Sequence, residues 1–249
     1  MEYSFIQLND LPDEILIIIL KELNNIEVFY SLLGVNKRLD SIVLDPIFTR
    51  KLTIRRSFNG LNQLFDAVLD RFCLKILPKI HHKIKWIDVE SLSLERILLL
   101  TNYPNLNGLG LYDLTAEKAR DFFIDSNLLI CAFKNQISSL VIDINKCEGP
   151  RSTIKDINIY IFTQILTMFK NLKYLKFGAS SSAYHRLTLD PSLSNVFSST
   201  LLELHVVLYY YKDCLYLLDG RFNQLHTLSV LMCSFIGPVL TTINSEVTE

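Results

Sequence analysis

The sequence predicts an α/β repeat protein: a short N-terminal unit of three helices, then an irregular solenoid of parallel strands alternating with helices. Two observations carry this. The stretch LPDEILIIILKEL, Leu11 to Leu23, opens a series of three short helical patterns that ends before Pro46. Beyond it, a unit of the form apolar-x-x-apolar-x-apolar recurs six times, with helical patterns in between.

Bulk properties narrow the function classes. With 249 residues, 49% of them apolar and 20% charged, the chain can bury a sizeable core and is not expected to be disordered. Its formal charge of −1 offers no bulk attraction to a polyanion, so neither a nucleic-acid partner nor an anionic membrane surface is expected. The five cysteines, Cys73, Cys131, Cys147, Cys214 and Cys233, are scattered and never form C-x-x-C, which suits buried thiols of a reducing compartment better than a disulfide framework or a zinc site. The N-terminus MEYSFIQLND lacks the basic region of a secretory signal. The longest apolar run, Ile15 to Leu20, is far below the roughly 20 residues of a membrane span.

The first helix is expected to start at Leu11-Pro12-Asp13-Glu14. Asp10 is a suitable N-cap, proline suits the first turn, and the carboxylates meet the positive end of the dipole. Leu11, Ile15, Leu16, Ile19, Leu20 and Leu23 form a broad stripe, with Ile17 and Ile18 outside it. A helix oily on every side needs cover on more than one side. A second helix is expected over Ile26 to Leu33. A third, with Val35, Leu39 and Ile42 on one face, ends before Pro46. Three such helices make too small a core to enclose the first. The surplus face needs either the rest of the chain or a second protein, since each wet isoleucine or leucine forgoes roughly 1.5–3 kcal/mol.

This pattern resembles the F-box family. F-boxes begin L-P-x-E-[IL]-[LI] and close with V-[CN]-[KR]-[RK]-[WFL]-x-x-[LI] before D-P. The chain has Leu11, Pro12, Glu14, Ile15 and Leu16, then Ile19, Leu20 and Leu23, then Val35, Asn36, Lys37, Arg38, Leu39 and Ile42, then Asp45 and Pro46. The resemblance covers residues 5–50. Leu39, where many members carry Trp or Phe, and Asn36, often Cys, depart from the pattern while keeping apolar or small character. The resemblance implies that one side of the first helix docks on a Skp-type adaptor and, through it, a cullin. It implies Leu8, Leu11, Pro12, Ile15, Ile19, Val35 and Leu39 as the adaptor interface or its support. The competing reading makes ILIIIL the deepest core helix of a larger domain.

The repeat units are IKWIDV, LNGLGL, ISSLVI, LKYLKF, LLELHV and LHTLSV, starting at Ile84, Leu106, Ile137, Leu172, Leu201 and Leu225. Asparagine stands at or beside the position before several of them. RKLTI, Arg50 to Ile54, is a candidate first strand. Between units lie the helical patterns Leu61 to Phe72, stopped at Pro78, SLERILLLTNYP, AEKARDFFID capped by Thr115, DINIYIFTQILTMFKNL and DCLYLLDGRF. Crossovers of this length join parallel strands. The recurring phase resembles a leucine-rich-repeat solenoid over residues 51–240; a doubly wound sheet also fits the strand–helix alternation. The closing TTINSEVTE is polar, and no capping unit is evident after the last strand.

No nucleotide-binding or hydrolase motif is present, so neither catalysis nor a cofactor is expected. His81 and His82 are adjacent and are expected on different faces, which disfavours a shared metal. His185, His205 and His226 fall in or beside strands and are expected at the surface. In HVVLYYYKD, Leu204 and Val206 are expected to face the core, His205 and Val207 the concave surface, with Tyr209 beyond the strand. These tyrosines suit either a binding surface or packing at the array's end. By phase, Asp88, Val141, Asp143, Lys176 and Ser229 join that surface. Together with the F-box resemblance, the expectation is a non-catalytic substrate receptor of a Skp–cullin–F-box ubiquitin ligase. It would hold a target protein in the cytoplasm or nucleus and act by proximity. The alternative is a binding scaffold that uses its F-box-like helices outside ubiquitin transfer. A third class, an α/β enzyme, requires a pocket at the strand ends with convergent polar groups.

Overall fold

The computed structural model describes residues 10–55, 62–124, 126–146, 151–178, 186–189 and 197–232. Leu8, Cys147, His185, Cys233 and the closing TTINSEVTE lie outside the described residues.

Four N-terminal helices come first: α1 (Asp13–Lys21), α2 (Asn25–Leu32), α3 (Lys37–Val43) and the single turn α4 (Pro46–Thr49). Asparagine and aspartate side chains start three of them. Asn24, Asn36 and Asp45 accept from the N–H groups of Ile26, Leu39 and Ile47 at 2.8–2.9 Å. Asn36, a departure from the F-box pattern, thus has a local role as a cap. Asp10 does not cap α1; Pro12 holds the N-cap position, its carbonyl accepting from Leu16 at 3.1 Å. Two residues separate Asp10 from the first helical residue, too many for an N-cap side chain. Arg38 of α3 ties down this end, donating to the Leu11 carbonyl and pairing with Asp13 at 2.6 Å.

Seven strands follow among the described residues: β1 (Lys51–Ile54), β2 (Trp86–Glu90), β3 (Gly108–Thr115), β4 (Ser139–Lys146), β5 (Tyr174–Phe177), β6 (Glu203–Leu208) and β7 (Thr227–Met232). They form one all-parallel sheet in sequential order β1 to β7, without the reversal that defines a doubly wound sheet. Between them lie α5 (Asn62–Arg71), α6 (Leu77–Ile80), α7 (Leu94–Leu98), α8 (Ala116–Phe122), α9 (Leu128–Phe133), α10 (Arg151–Met168) and α11 (Tyr211–Leu217). Right-handed crossovers that always advance in one direction place such helices on one face.

The register explains the repeated motif. Its second apolar residue forms one row across the sheet: Leu52, Ile87, Leu109, Leu140, Leu175, Leu204 and Leu228. The third forms the next: Ile54, Val89, Leu111, Ile142, Phe177, Val206 and Val230. Both rows are buried except in β7, where Leu228 and Val230 are half-covered. The first apolar residue sits just before each strand and points into the same core. One backbone device recurs with it. Lys85 and Trp86 both donate to the Arg50 carbonyl, Asn107 and Gly108 to Lys85, Ser138 and Ser139 to Asn107. Lys173 and Tyr174 then donate to Ser138, Leu202 and Glu203 to Lys173, and His226 and Thr227 to Leu202, all at 2.8–3.1 Å. The asparagines before the strands add to this stitching: Asn105 donates to the His82 carbonyl at 2.6 Å and Asn171 to the Asn135 carbonyl at 2.7 Å.

Three helical expectations need correction. Pro78 does not stop the helix after β1. A π turn, Phe72–Ile76, leads into α6, where Pro78 occupies the first turn and its missing N–H costs nothing. The SLERILLLTNYP helix stops at Leu98, well before Pro104, and Leu99 and Leu100 are exposed. A further helix, α9, interrupts the AEKARDFFID crossover, with Asn127 accepting from the Leu129 N–H at 3.0 Å. Thr115 does cap α8, accepting from Lys118 at 3.1 Å.

The buried residues form one continuous cluster from Leu16 to Phe222, so the N-terminal helices and the sheet share a core. Phe29 of α2 meets Phe72, and Asn25 donates to the carbonyls of Phe48 and Lys51 at 2.8 and 2.6 Å, tying α2 to β1. Among the described residues, no helix is long and apolar enough to cross a membrane.

Candidate functional site

Two surfaces stand out, one on α1 and one on the sheet. On α1 the apolar stripe is split along its length. Leu16 and Leu20 are buried, and Leu11 and Ile17 pack partly beside them. Ile15, Ile18, Ile19 and Leu23 remain 42%, 60%, 44% and 48% exposed. Ile15, Ile18 and Ile19 follow i, i+3, i+4 spacing and make one face of α1, and Leu23 lies exposed two residues past the helix end. The grouping read from the sequence therefore changes: Ile17 joins the covered side and Ile18 the open one. Periodicity finds a stripe but not which flank a neighbour covers. Pro12 and Val35 are exposed, and Val35 sits in the turn before α3. Leu39 is 3% exposed, so among the candidates it supports this unit from within and does not line its surface.

The second surface is the sheet face away from the two core rows. The residues chosen by phase, Asp88, Val141, Lys176, His205 and Ser229, fall in a single register row, with Gly110 between the first two and Thr53 at its start. Val207 lies two positions further along β6, and Asp143 two further along β4. Tyr209 sits past the end of β6, in edge contact with Tyr210 at 4.4 Å and under the Arg186 guanidinium. It belongs to a cluster at the strand ends, apart from the row.

Of the residues that line a trough on this face, Val141 and Lys176 follow from the phase, whereas Lys51, Trp86, Tyr112, Ser139 and Tyr174 are not among the expected residues. Lys51, Trp86, Gly108, Ser139, Tyr174, Glu203 and Thr227 form the neighbouring row. Lys51, Trp86, Tyr112, Ser139, Val141, Tyr174 and Lys176 line a trough of about 370 Å³. Two signals pointed to it. The phase rule that selected Asp88 selects Trp86 and Tyr174 two residues earlier. LNGLGL also places two glycines in a strand interior, a mark of close approach. A Cβ at Gly108 would fall inside the Trp86 ring, and one at Gly110 would meet the Asp88 carboxylate and Tyr112.

Asp88 organises one wall. Its Oδ1 accepts from Trp86 Nε1 at 2.6 Å, its Oδ2 faces Lys51 Nζ at 3.0 Å, and Tyr112 also hydrogen-bonds to it. Lys51 Nζ lies 5.5 Å from the Trp86 ring centre, and the Arg55 guanidinium sits 4.2 Å from that of Tyr112. Burial, and then the Asp88 charge, push the Tyr112 phenol up to about 12. On the other wall Tyr174 rests against His205 at 5.3 Å, and His205 Nε2 pairs with Glu203 at 2.7 Å. Burial first, then Glu203, raises the Tyr174 phenol above its usual value.

A bulge in β3 sets the position of Asp143. The register shifts between Leu111 and Leu114, so Tyr112 and Asp113 together oppose Asp143, and Asp113 adopts φ 54°. Burial, and then the Asp113 charge, raises the Asp143 carboxyl, while Arg55 and Lys176 pull the other way. Its buried Oδ1 has no hydrogen-bond partner among the described residues. A carboxyl raised in the folded state contributes most below its unfolded pKa of about 3.9 and loses that contribution as pH climbs through its folded value. Asp143→Asn is therefore expected to raise the thermal unfolding midpoint at pH 7 and to leave it nearly unchanged near pH 3. Melting curves at the two pH values check this.

Trp86 is the only tryptophan, which makes the trough optically addressable. Gly108→Ala is expected to push the ring off β3 into water and to red-shift its emission. Gly34→Ala, at a position with φ 90° and open space around it, strains the backbone but should leave the spectrum unchanged.

A second cavity, of about 340 Å³, lies where β2 and β3 end, the place an α/β enzyme would use. Its polar groups are largely committed to local contacts. Lys118 Nζ donates to Ser91 Oγ at 3.3 Å, Asp121 pairs with Arg120 at 3.0 Å, and Asn127 caps α9. His81 and His82 are not on separate faces as expected; a 3₁₀ turn brings their rings into edge contact at 5.6 Å. Among the described residues, no three His, Cys, Asp or Glu side chains stand close enough to share a metal. His226 is exposed, Cys73 is buried, and Cys131 and Cys214 are half-buried. No family model matches the chain, and no curated protein matches it.

Proposed function

We infer that the chain is a substrate receptor of a Skp–cullin–F-box type ubiquitin ligase. In this reading, residues 5–50 are the F-box and the strand–helix array is an irregular leucine-rich-repeat solenoid. The observation that carries it is the uncovered apolar face of α1, Ile15, Ile18 and Ile19, with Leu23 exposed just past its end, beside a sequence with the order and spacing of F-box residues. Three half-exposed isoleucines on one helix face, with an exposed leucine just beyond it, suit a partner that covers them. Leu11, Pro12 and Val35 extend the docking surface, and Leu39 holds it from beneath. The open sheet face then presents a target protein. The chain itself makes and breaks no bonds; it raises the effective concentration of target lysines near the conjugating enzyme. The cytoplasm or nucleus is the corresponding compartment, and no cofactor is called for.

The test is reconstitution with a Skp-type adaptor and a cullin. The receptor reading expects a complex of all three in which the cullin is retained only when the adaptor is present. An adaptor complex that excludes the cullin favours the scaffold alternative. No complex with the adaptor overturns both.

A further inference from the structure

The trough over β4 is lined by two kinds of group. Its walls are aromatic: Trp86 and Tyr112 on one side, Tyr174 on the other. Its floor is Ser139 and Val141. Among the described residues, its charged lining side chains are two lysines, placed at opposite ends, Lys51 on β1 and Lys176 on β5, with Asp88 buried behind Lys51 and Trp86. An ammonium has three donors. Lys51 directs one toward Asp88 Oδ2 and lies over Trp86, which fixes its position and leaves donors for a ligand. Lys176 is exposed and holds no salt bridge to a described residue.

The geometry points to one class of occupant: an extended protein segment in which an apolar or aromatic side chain is flanked on both sides by aspartate or glutamate. This rests on the receptor reading and specifies what its open face takes. The aromatic walls and Val141 fit the central side chain, since flat rings give large contact at little entropic cost. The end lysines fit the flanking carboxylates. Four strand spacings separate β1 from β5, roughly 19 Å between backbones, and an extended segment of about five or six residues spans that distance. It therefore lies across the strands.

The charge pattern excludes neighbouring chemistries. A nucleic acid brings a continuous line of negative charge, which Asp88, Asp143 and Glu203 on the same face repel. Phosphate recognition favours the bidentate fork of arginine, and among the described residues no arginine lines the trough, Arg55 being stacked on Tyr112 beside it. A small molecule wants enclosure on most sides, whereas this trough lies open along a sheet face with both lysines at the surface.

The test uses the full chain and fluorescent peptide pools of roughly twelve residues, each with one central Phe, Leu or Trp and glutamates about five positions apart around it. Twin pools carry glutamine or phosphoserine at those positions, or lysine at one of them. Anisotropy is expected to show the glutamate pool binding about tenfold more tightly than the glutamine pool. Lys176→Glu, measured well below its own melting point because the change removes a cation near Asp143, is expected to abolish that preference and to favour the pool with one lysine. Trp86→Ala is expected to weaken all pools together. Equal binding of the glutamate and glutamine pools, a preference for phosphoserine over glutamate, or no binding by any pool overturns the proposal. Adaptor binding is read separately. A chain that binds the adaptor but no peptide keeps its receptor role and loses this trough. One that binds the peptides but no adaptor keeps the trough and loses the ligase role.

Discussion

Leu140→Ala is expected to cost about 3–4 kcal/mol of folding stability, while Leu228→Ala in the same row costs about 1 kcal/mol. Both residues occupy the second apolar position of the repeated motif. Leu140 lies in β4, with Leu109 and Leu175 on its flanks and no exposed surface. Removing its side chain leaves a cavity that rigid neighbours on both sides cannot fill. Leu228 lies in β7 and is only half-covered. Its neighbours can relax toward the space, and less transfer energy is lost. Chemical denaturation with both variants reads the difference. A cost graded from centre to edge follows from stacked units that each lean on their neighbours. Equal costs would contradict a continuous row.

The double substitution Ile15→Lys/Ile19→Lys is expected to abolish adaptor binding, a loss of about 100-fold or more, while shifting stability by less than about 0.5 kcal/mol. Both side chains lie on the uncovered face of α1, so a lysine there keeps its charge in water in the free chain. In the complex the same charge would be buried in an apolar contact. Leu16→Lys on the opposite flank should behave in reverse. That residue is fully buried, and a charge in its place would unfold the N-terminal unit. Thermal melts and gel filtration with the adaptor separate the two cases. If Ile15→Lys/Ile19→Lys unfolds the chain, α1 is a core helix.

The legible parts of this molecule are those set by local period. The L-x-x-L-x-L phase located each strand from β2 to β7 because all three apolar side chains serve one core. The same phase put Asp88, Val141, Lys176, His205 and Ser229 on one row of the opposite face. The less legible parts depend on neighbours distant in sequence. Which flank of ILIIIL is covered depends on where α2 and α3 pack. Passage of the chain through Pro78 depends on a π turn that no residue of FCLKI announces. Asp113 sits in a bulge because β3 and β4 differ in length between paired residues, and this brought Asp143 against a like charge. The trough was readable in principle. LNGLGL removes two side chains from a strand, and the space they vacate is taken by Trp86 and Asp88 of the preceding strand.

The most direct measurement is calorimetry of the full chain titrated with a Skp-type adaptor at several temperatures and salt concentrations. An apolar helix face predicts a one-to-one complex with a negative heat-capacity change and little dependence on salt. No heat of binding, with the chain eluting as a monomer beside the adaptor, would contradict the docking role of α1 and with it the receptor function.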